Sequence, residues 1–321
     1  MDILKTAELI EKGDLRHSAR VMRSLDDGDP EALEVLKVLY PNTGRAWVLG
    51  ITGSPGVGKS TLTDVLVTRF REQGKTVGVV AVDPTSPFTG GAILGDRIRM
   101  QRHATDDGVF IRSLATRGHF GGLTASTRGV VTVMDAMGKD VILVETVGVG
   151  QDEVDVAKMA DTTLIVTVPG MGDDIQAIKA GILEVGDIFV VNKMDRPGGE
   201  ATLSQLENML MMEREGTRCP GWNPPVVPVS AANNQGLDDL LEAIKGHYDL
   251  LHENKAQLMN QRRRERAKME LMDLIQTRAK QVILKRLEAG HRLEDLALSI
   301  AKGEKDPYSV CQEVIEAAFS D

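Results

Sequence analysis

Gly53-Ser54-Pro55-Gly56-Val57-Gly58-Lys59-Ser60-Thr61 is the stretch that decides the fold. It fits G-x-x-x-x-G-K-S/T at every fixed position, the pattern of a loop that wraps phosphate groups. The spacing follows from the chemistry. Glycines let the backbone turn tightly, so that successive N–H groups point inward at phosphate oxygens. A helix beginning at Lys59 adds its positive N-terminal end. Lys59 can bridge the outer phosphates, and the Ser60 hydroxyl can ligate Mg²⁺. The apolar run Ala46–Thr52 before the loop reads as a strand. Leu62, Val65, Leu66 and Phe70 after it recur at helical intervals.

The same rhythm continues along the chain. Strand-length runs rich in Val and Ile cover Thr76–Val82, Val109–Leu114, Asp140–Glu145, Thr162–Val168, Asp187–Val191 and Val226–Val229. Helix-length amphipathic segments separate most of them. This predicts an α/β fold of the P-loop NTPase kind, with a mostly parallel sheet flanked by helices, over residues 46–247. Residues 1–45 read as a helical N-terminal extension, with Asp27-Gly28-Asp29-Pro30 as a turn. Residues 248–321 read as a helical C-terminal region. There Leu271, Met272, Ile275, Ala279, Val282, Ile283 and Leu287 form one apolar stripe.

Ligands of such sheets bind at the carboxyl ends of strands, so the residues that follow each run carry the function. Asn192-Lys193-Met194-Asp195 leaves the strand Ile188–Val191, about 130 residues after the phosphate loop. A carboxylate at Asp195 can accept from guanine N1–H and the exocyclic amine. Adenine presents an acceptor at N1 instead, and a site of this kind can reject the wrong base by on the order of 10⁴. Asn192 can brace the loop and face the O6/N7 edge, while the Lys193 stem can lie over the base plane. Ser230-Ala231-Ala232, after the last strand, allows a backbone N–H to reach guanine O6.

Acidic residues follow two further strands. Asp83 ends the run Val77–Val82, and Glu145 ends Val141–Val144. Asp96 lies in the connection between them. Their hard oxygens suit Mg²⁺, directly or through water. Glu145-Thr146-Val147-Gly148 is similar to the switch pattern D-x-x-G, with Glu in place of Asp. Ras-like proteins place a water-orienting glutamine after that glycine, and here the position is Val149. Slow intrinsic hydrolysis, accelerated by a partner or a rearrangement, is therefore expected. Gln151 is a nearby alternative for orienting water.

Composition narrows the setting. The 321 residues carry a formal net charge of −9, with 42% apolar and 26% charged residues. That disfavours a nucleic-acid or anionic-membrane partner. Two distant cysteines, Cys219 and Cys311, offer neither a disulfide framework nor a thiolate metal cluster. No apolar stretch approaches the length of a membrane span, and the N-terminus lacks the features of a targeting signal, so a cytoplasmic protein is expected.

Beyond these motifs, the whole chain resembles the MeaB/ArgK group of P-loop GTPases. The marks are Val82-Asp83-Pro84-Thr85-Ser86-Pro87, Gly95-Asp96-Arg97-Ile98-Arg99-Met100, Ser113-Leu114-Ala115-Thr116-Arg117-Gly118, Glu145 through Gln151, and Pro169-Gly170-Met171-Gly172-Asp173. The resemblance implies a GTPase that acts as a chaperone of an adenosylcobalamin-dependent acyl-CoA mutase of the methylmalonyl-CoA type. It implies GTP or GDP with Mg²⁺ at Lys59, Asp83, Asp96 and Glu145. It implies a third switch through Gln176 and Lys179, and a homodimer formed by the C-terminal helices. Three rival readings stand beside it: a metal-delivery GTPase, an ATP-dependent kinase linked to amino-acid transport, and a structural dimer that binds GTP without turnover. Scattered histidines and isolated cysteines count against the first, and Asp195 counts against the second.

Overall fold

The computed structural model describes residues 2–83, 100–103, 105–115, 125–146, 152–170, 183–212, 219, 221–253, 257–288 and 292–319. Among these residues, seven strands form one parallel sheet: β1 (Trp47–Thr52), β2 (Val77–Asp83), β3 (Val109–Ala115), β4 (Val141–Thr146), β5 (Thr162–Thr167), β6 (Ile188–Val191) and β7 (Val226–Pro228). Their order is β3-β2-β4-β1-β5-β6-β7, so β1 is central, between β4 and β5. Every pairing among them is parallel. All seven strands fall on the apolar runs read from the sequence.

Alternation along the strands sends side chains to two cores. Helices α4 (Lys59–Glu72) and α8 (Leu237–Glu253) cover one face. Leu62, Leu66 and Phe70 of α4, with Leu240 and Ile244 of α8, pack there on Leu49, Ile51, Leu143, Leu164 and Val190. Helices α5 (Ala125–Ala136) and α6 (Asp152–Met159) cover the other face. Val130, Val133 and Met134 meet Val80, Ile142 and Val144 there, together with Val156. Helix α7 (Gly199–Met212) extends this layer, with Leu206 against Ile165, Phe189 and Val191. Each fully buried Leu or Ile contributes about 1.5–3 kcal/mol by leaving water.

The first three helices form an outer layer over α5. They are α1 (Ile3–Glu11), α2 (Leu15–Asp26) and α3 (Pro30–Leu39). Asp2, Asp14 and Asp29 cap them, each carboxylate accepting a backbone N–H of the first turn, and Pro30 starts α3 with its φ already helical. Ile10, Met22, Leu25, Val35 and Leu39 join the α5 core. Gly129 of α5 lets Leu25 and Leu36 come close: a Cβ there would stand 3.1 Å from each side chain. Buried Asp135, also on α5, accepts the N–H groups of Gly44, Arg45 and Ala46, fixing the chain between α3 and β1.

The chain divides into two compact units, residues 1–260 and 261–321. Helix α9 (Gln257–Glu288) runs across that division, and α10 (Arg292–Ala301) and α11 (Pro307–Phe319) follow. Within the second unit, Asp306 caps α11 by accepting from Tyr308 and Ser309, and Lys305 pairs with Glu313. On α9, Leu271, Met272, Ile275 and Val282 of the apolar stripe are exposed, whereas Leu287 is buried. Among the described residues, no helix is long and apolar enough to cross a membrane.

Candidate functional site

The phosphate loop leaves the carboxyl end of β1. Gly53 has φ 144°, and a Cβ there would lie 2.1 Å from the Val166 carbonyl oxygen on β5. Only glycine fits that contact. Gly58 has φ 94° and opens α4, and a Cβ there would lie 2.5 Å from Asn192 Nδ2. The loop thus passes close to β5 and to the residue that follows β6. Buried Lys59 donates from Nζ to the carbonyls of Gly53 (2.7 Å) and Ser54 (3.0 Å), which keeps the ammonium inside the loop.

Beside it, Ser60 Oγ donates to Glu145 Oε1 at 2.6 Å. Glu145 sits near the end of β4, in register with Ile51 of β1 and Ala81 of β2, and is buried. Thr52 and Thr146 join the ends of β1 and β4 by a buried hydroxyl pair 3.0 Å apart. Asp83 ends β2 opposite Ala115. Ser60 and Glu145 bring two hard oxygen donors together next to a lysine, a donor set that suits a magnesium ion. Asp96, Gly148, Gln151, Gln176 and Lys179 lie outside the described residues.

The loop after β6 closes on the phosphate loop. Asn192 Nδ2 donates to the Val57 carbonyl at 2.9 Å, and Asn192 Oδ1 accepts the Ala231 N–H at 3.1 Å. Both ends of that buried amide serve as braces, joining the loops after β1, β6 and β7. Lys193, at φ 60°, donates from Nζ to the Gly56 carbonyl at 2.6 Å. Burial lowers the Lys193 ammonium below its usual range, and the Arg196 charge acts in the same direction. Asp195 is exposed, and its Oδ1 accepts from Ser230 Oγ at 2.5 Å. That hydroxyl is the main reason the Asp195 carboxyl lies below the ordinary carboxylate range; its own backbone N–H and the charges of Arg196 and Lys193 add to it. Ala232 is exposed beside Ala231.

This geometry can grip a nucleotide: a glycine-rich loop and a lysine at one end, an ionised carboxylate at the other, joined by a shared asparagine. A family model described as "Methylmalonyl Co-A mutase-associated GTPase MeaB" matches residues 19–288. The chain belongs to the MeaB family. It is 47% identical to a Pyrococcus abyssi protein designated a GTPase by inference, over 96% of this chain and 94% of the other. It is 36% identical to the GTPase ArgK of Escherichia coli, over 73% and 72%. The crystal structure of a LAO/AO transport system kinase superposes with a TM-score of 0.72 at 24% identity, covering 98% of this chain and 96% of that one, and shares the fold. As a MeaB-family member the chain is a guanine-nucleotide-binding GTP hydrolase.

Two contacts near these residues of the MeaB-family chain escaped the motifs. Asp64 on α4, one turn after Ser60, pairs with Arg102 (2.5 Å) and with His103 (3.0 Å), the residues that follow the connection carrying Asp96. The i+4 spacing from Ser60 was the available signal. Asn233 donates from Nδ2 to Ser230 Oγ at 3.0 Å, and only its position after Ser-Ala-Ala pointed to it. Thr162, His247 and Asp187 form a line of 2.8 and 3.3 Å that imitates a nucleophile triad. All three are buried at the amino-terminal edge of β5 and β6, away from the phosphate loop, where they tie α8 to the sheet.

Proposed function

We propose that this GTPase binds Mg·GTP and gates cofactor loading or protection of an adenosylcobalamin-dependent acyl-CoA mutase of the methylmalonyl-CoA type. The observation that carries the nucleotide part is the brace of Asn192 between Val57 of the phosphate loop and Ala231 of the base-side turn. The mutase part rests on the family's description as mutase-associated.

In this reading the phosphate-loop amides from Gly53 to Thr61 and the Lys59 ammonium hold the phosphates. Asp195 accepts from guanine N1–H and the exocyclic amine, with Asn192, Lys193 and the Ser230-Ala231-Ala232 turn framing the base. Water attacks the γ-phosphorus, and the bond to the bridging oxygen breaks, giving GDP and phosphate. Lys59 stabilises the charge that spreads over the transferred group. Ser60 and Glu145, with Asp83 and Asp96, would hold Mg²⁺. When bound, the ion supplies charge neutralisation at the outer phosphates. Val149 cannot orient water, so intrinsic turnover is slow, and Gly148, Gln151, Gln176 and Lys179 relay the nucleotide state to the partner. The exposed stripe Leu271, Met272, Ile275 and Val282 supports a homodimer through α9.

Two rival readings are less well supported. A metal-delivery GTPase needs a carrier cluster, and among the described residues no group of three His, Cys, Asp or Glu is placed to hold an ion. An ATP-dependent kinase conflicts with an acceptor-only Asp195 facing adenine N1.

The test is single-turnover GTP hydrolysis and co-precipitation with purified methylmalonyl-CoA mutase, under GTP, GDP and no nucleotide. Nucleotide-dependent association with faster hydrolysis is expected. Equal association in all three conditions, with hydrolysis unchanged by the mutase, would overturn the gating role.

A further inference from the structure

The base-side carboxylate is exposed, so packing does not hold its rotamer, yet its usefulness depends on a fixed direction. Its anchor is Ser230, whose hydroxyl is buried and has two partners: Asp195 Oδ1 at 2.5 Å and Asn233 Nδ2 at 3.0 Å. A hydroxyl carries one proton and can accept on its lone pairs. The ionised carboxylate only accepts, so the Ser230 proton must lie toward Asp195. Asn233 then has to present its NH₂ group. With the amide reversed, two acceptors would compete for one proton, and one of them would face a lone pair. The relay therefore has one direction: Asn233 donates to Ser230, and Ser230 donates to Asp195.

We propose that Asn233 is a specificity-determining positioning residue, which commits the Ser230 hydroxyl proton to Asp195 and so orients the carboxylate that distinguishes guanine from other purines. The inference rests on the reading of Asp195 as the base acceptor. Asn233 need not touch the nucleotide. It occupies a lone pair of Ser230, so the hydroxyl cannot rotate away, and the remaining carboxylate lone pairs point at a base edge. Its backbone N–H is tied to the Ser230 carbonyl at 3.1 Å, so the side chain springs from an anchored turn. The adjoining Asn234 has φ 55°, and Ser230 pairs with Gln235 as an isolated bridge, which closes that turn.

The experiment compares GDP, IDP and XDP binding to the full-length wild type, Asn233→Ala, Asn233→Asp and Asp195→Asn by titration calorimetry. Inosine lacks the exocyclic amine, and xanthine carries a carbonyl in its place. A bidentate Asp195 therefore favours GDP over IDP, and an amide at that position favours XDP. Asn233 is exposed, and unchanged circular-dichroism melting would show that its variants fold. The proposal expects Asn233→Ala to lower the GDP-to-IDP preference about fivefold, the scale of one lost hydrogen bond. Asn233→Asp should lower it further, because an acceptor there draws the Ser230 proton off Asp195. A purely structural asparagine would weaken GDP and IDP alike. An unchanged GDP-to-IDP ratio in both Asn233 variants, while Asp195→Asn turns to XDP, would overturn the relay and leave the base reading intact. Failure of Asp195→Asn to gain XDP would overturn the base reading, and the inference with it.

Discussion

Asn192 Nδ2 reaches the carbonyl oxygen of Val57 at 2.9 Å, across 135 positions of sequence. Its other amide atom accepts from Ala231. One buried side chain therefore sets the distance between the phosphate loop after β1 and the turn after β7. Changing it disturbs both at once.

Asn192→Ala should orphan the Val57 carbonyl and the Ala231 N–H. Each buried unsatisfied group costs about 1–3 kcal/mol. Lower stability and a matching loss of GDP affinity are expected, measured by urea unfolding with and without nucleotide. Unchanged affinity alongside lost stability would confine Asn192 to the frame.

Glu145→Gln keeps the shape beside Ser60 and removes the charge. Hydrolysis should fall by at least about a hundredfold, the scale of removing a preorganised electrostatic contact. GDP binding in EDTA should stay near the wild-type value, because the phosphate-loop amides and Lys59 are untouched. Radiolabelled GTP turnover and filter binding measure the two. A parallel loss in EDTA would mean that Glu145 supports the loop rather than a metal ion.

Gly53→Ala should be severe. The residue sits at φ 144°, and a Cβ would press to 2.1 Å from the Val166 carbonyl. A non-glycine residue held in such a region costs about 1–3 kcal/mol before the collision is counted. Loss of nucleotide binding, with a lowered melting temperature, is the expected result.

Arg71 holds Asp106 by two hydrogen bonds, at 2.9 and 3.0 Å. The guanidinium, followed by the Gly108 N–H, places the Asp106 carboxyl below its ordinary value of 3.8. A depressed carboxylate stabilises the fold above its unfolded pKa, and this contribution disappears as pH falls through the folded value. Arg71→Met should therefore be less stable than the wild type at neutral pH, with the gap closing below pH 3.8. Denaturant midpoints measured across pH would show a constant gap if the arginine acts only by packing.

Asp135 accepts from three consecutive backbone N–H groups at the entry to β1. Asp135→Ala should destabilise the protein by about 2–4 kcal/mol, since hydrogen bonds to a charged group contribute more than neutral ones. Hydrogen exchange should rise first at Gly44, Arg45 and Ala46. Protection there equal to that of the wild type would refute the anchoring role.

Much of the molecule was legible from its residues. Val–Ile runs placed all seven strands, because burial on both faces of a parallel sheet demands continuous apolar sequence within a window of a few residues. The phosphate loop was legible for a related reason: amide cradling requires glycines and a lysine at fixed short spacing, whatever the rest of the chain does. Asn192, Asp195, Ser230 and Glu145 were legible as residues at strand ends. Their partners were not. Only the folded sheet, with β4 between β2 and β1, brings Glu145 beside Ser60 and Thr146 beside Thr52. Only the packed loops show Asn192 bracing two neighbours, Asn233 donating to the Ser230 hydroxyl and Asp135 gathering three amides. Periodicity and loop chemistry are local quantities, encoded in adjacent residues. Strand order and side-chain partners separated by tens of positions depend on how every element packs at once, and tertiary structure alone decides them.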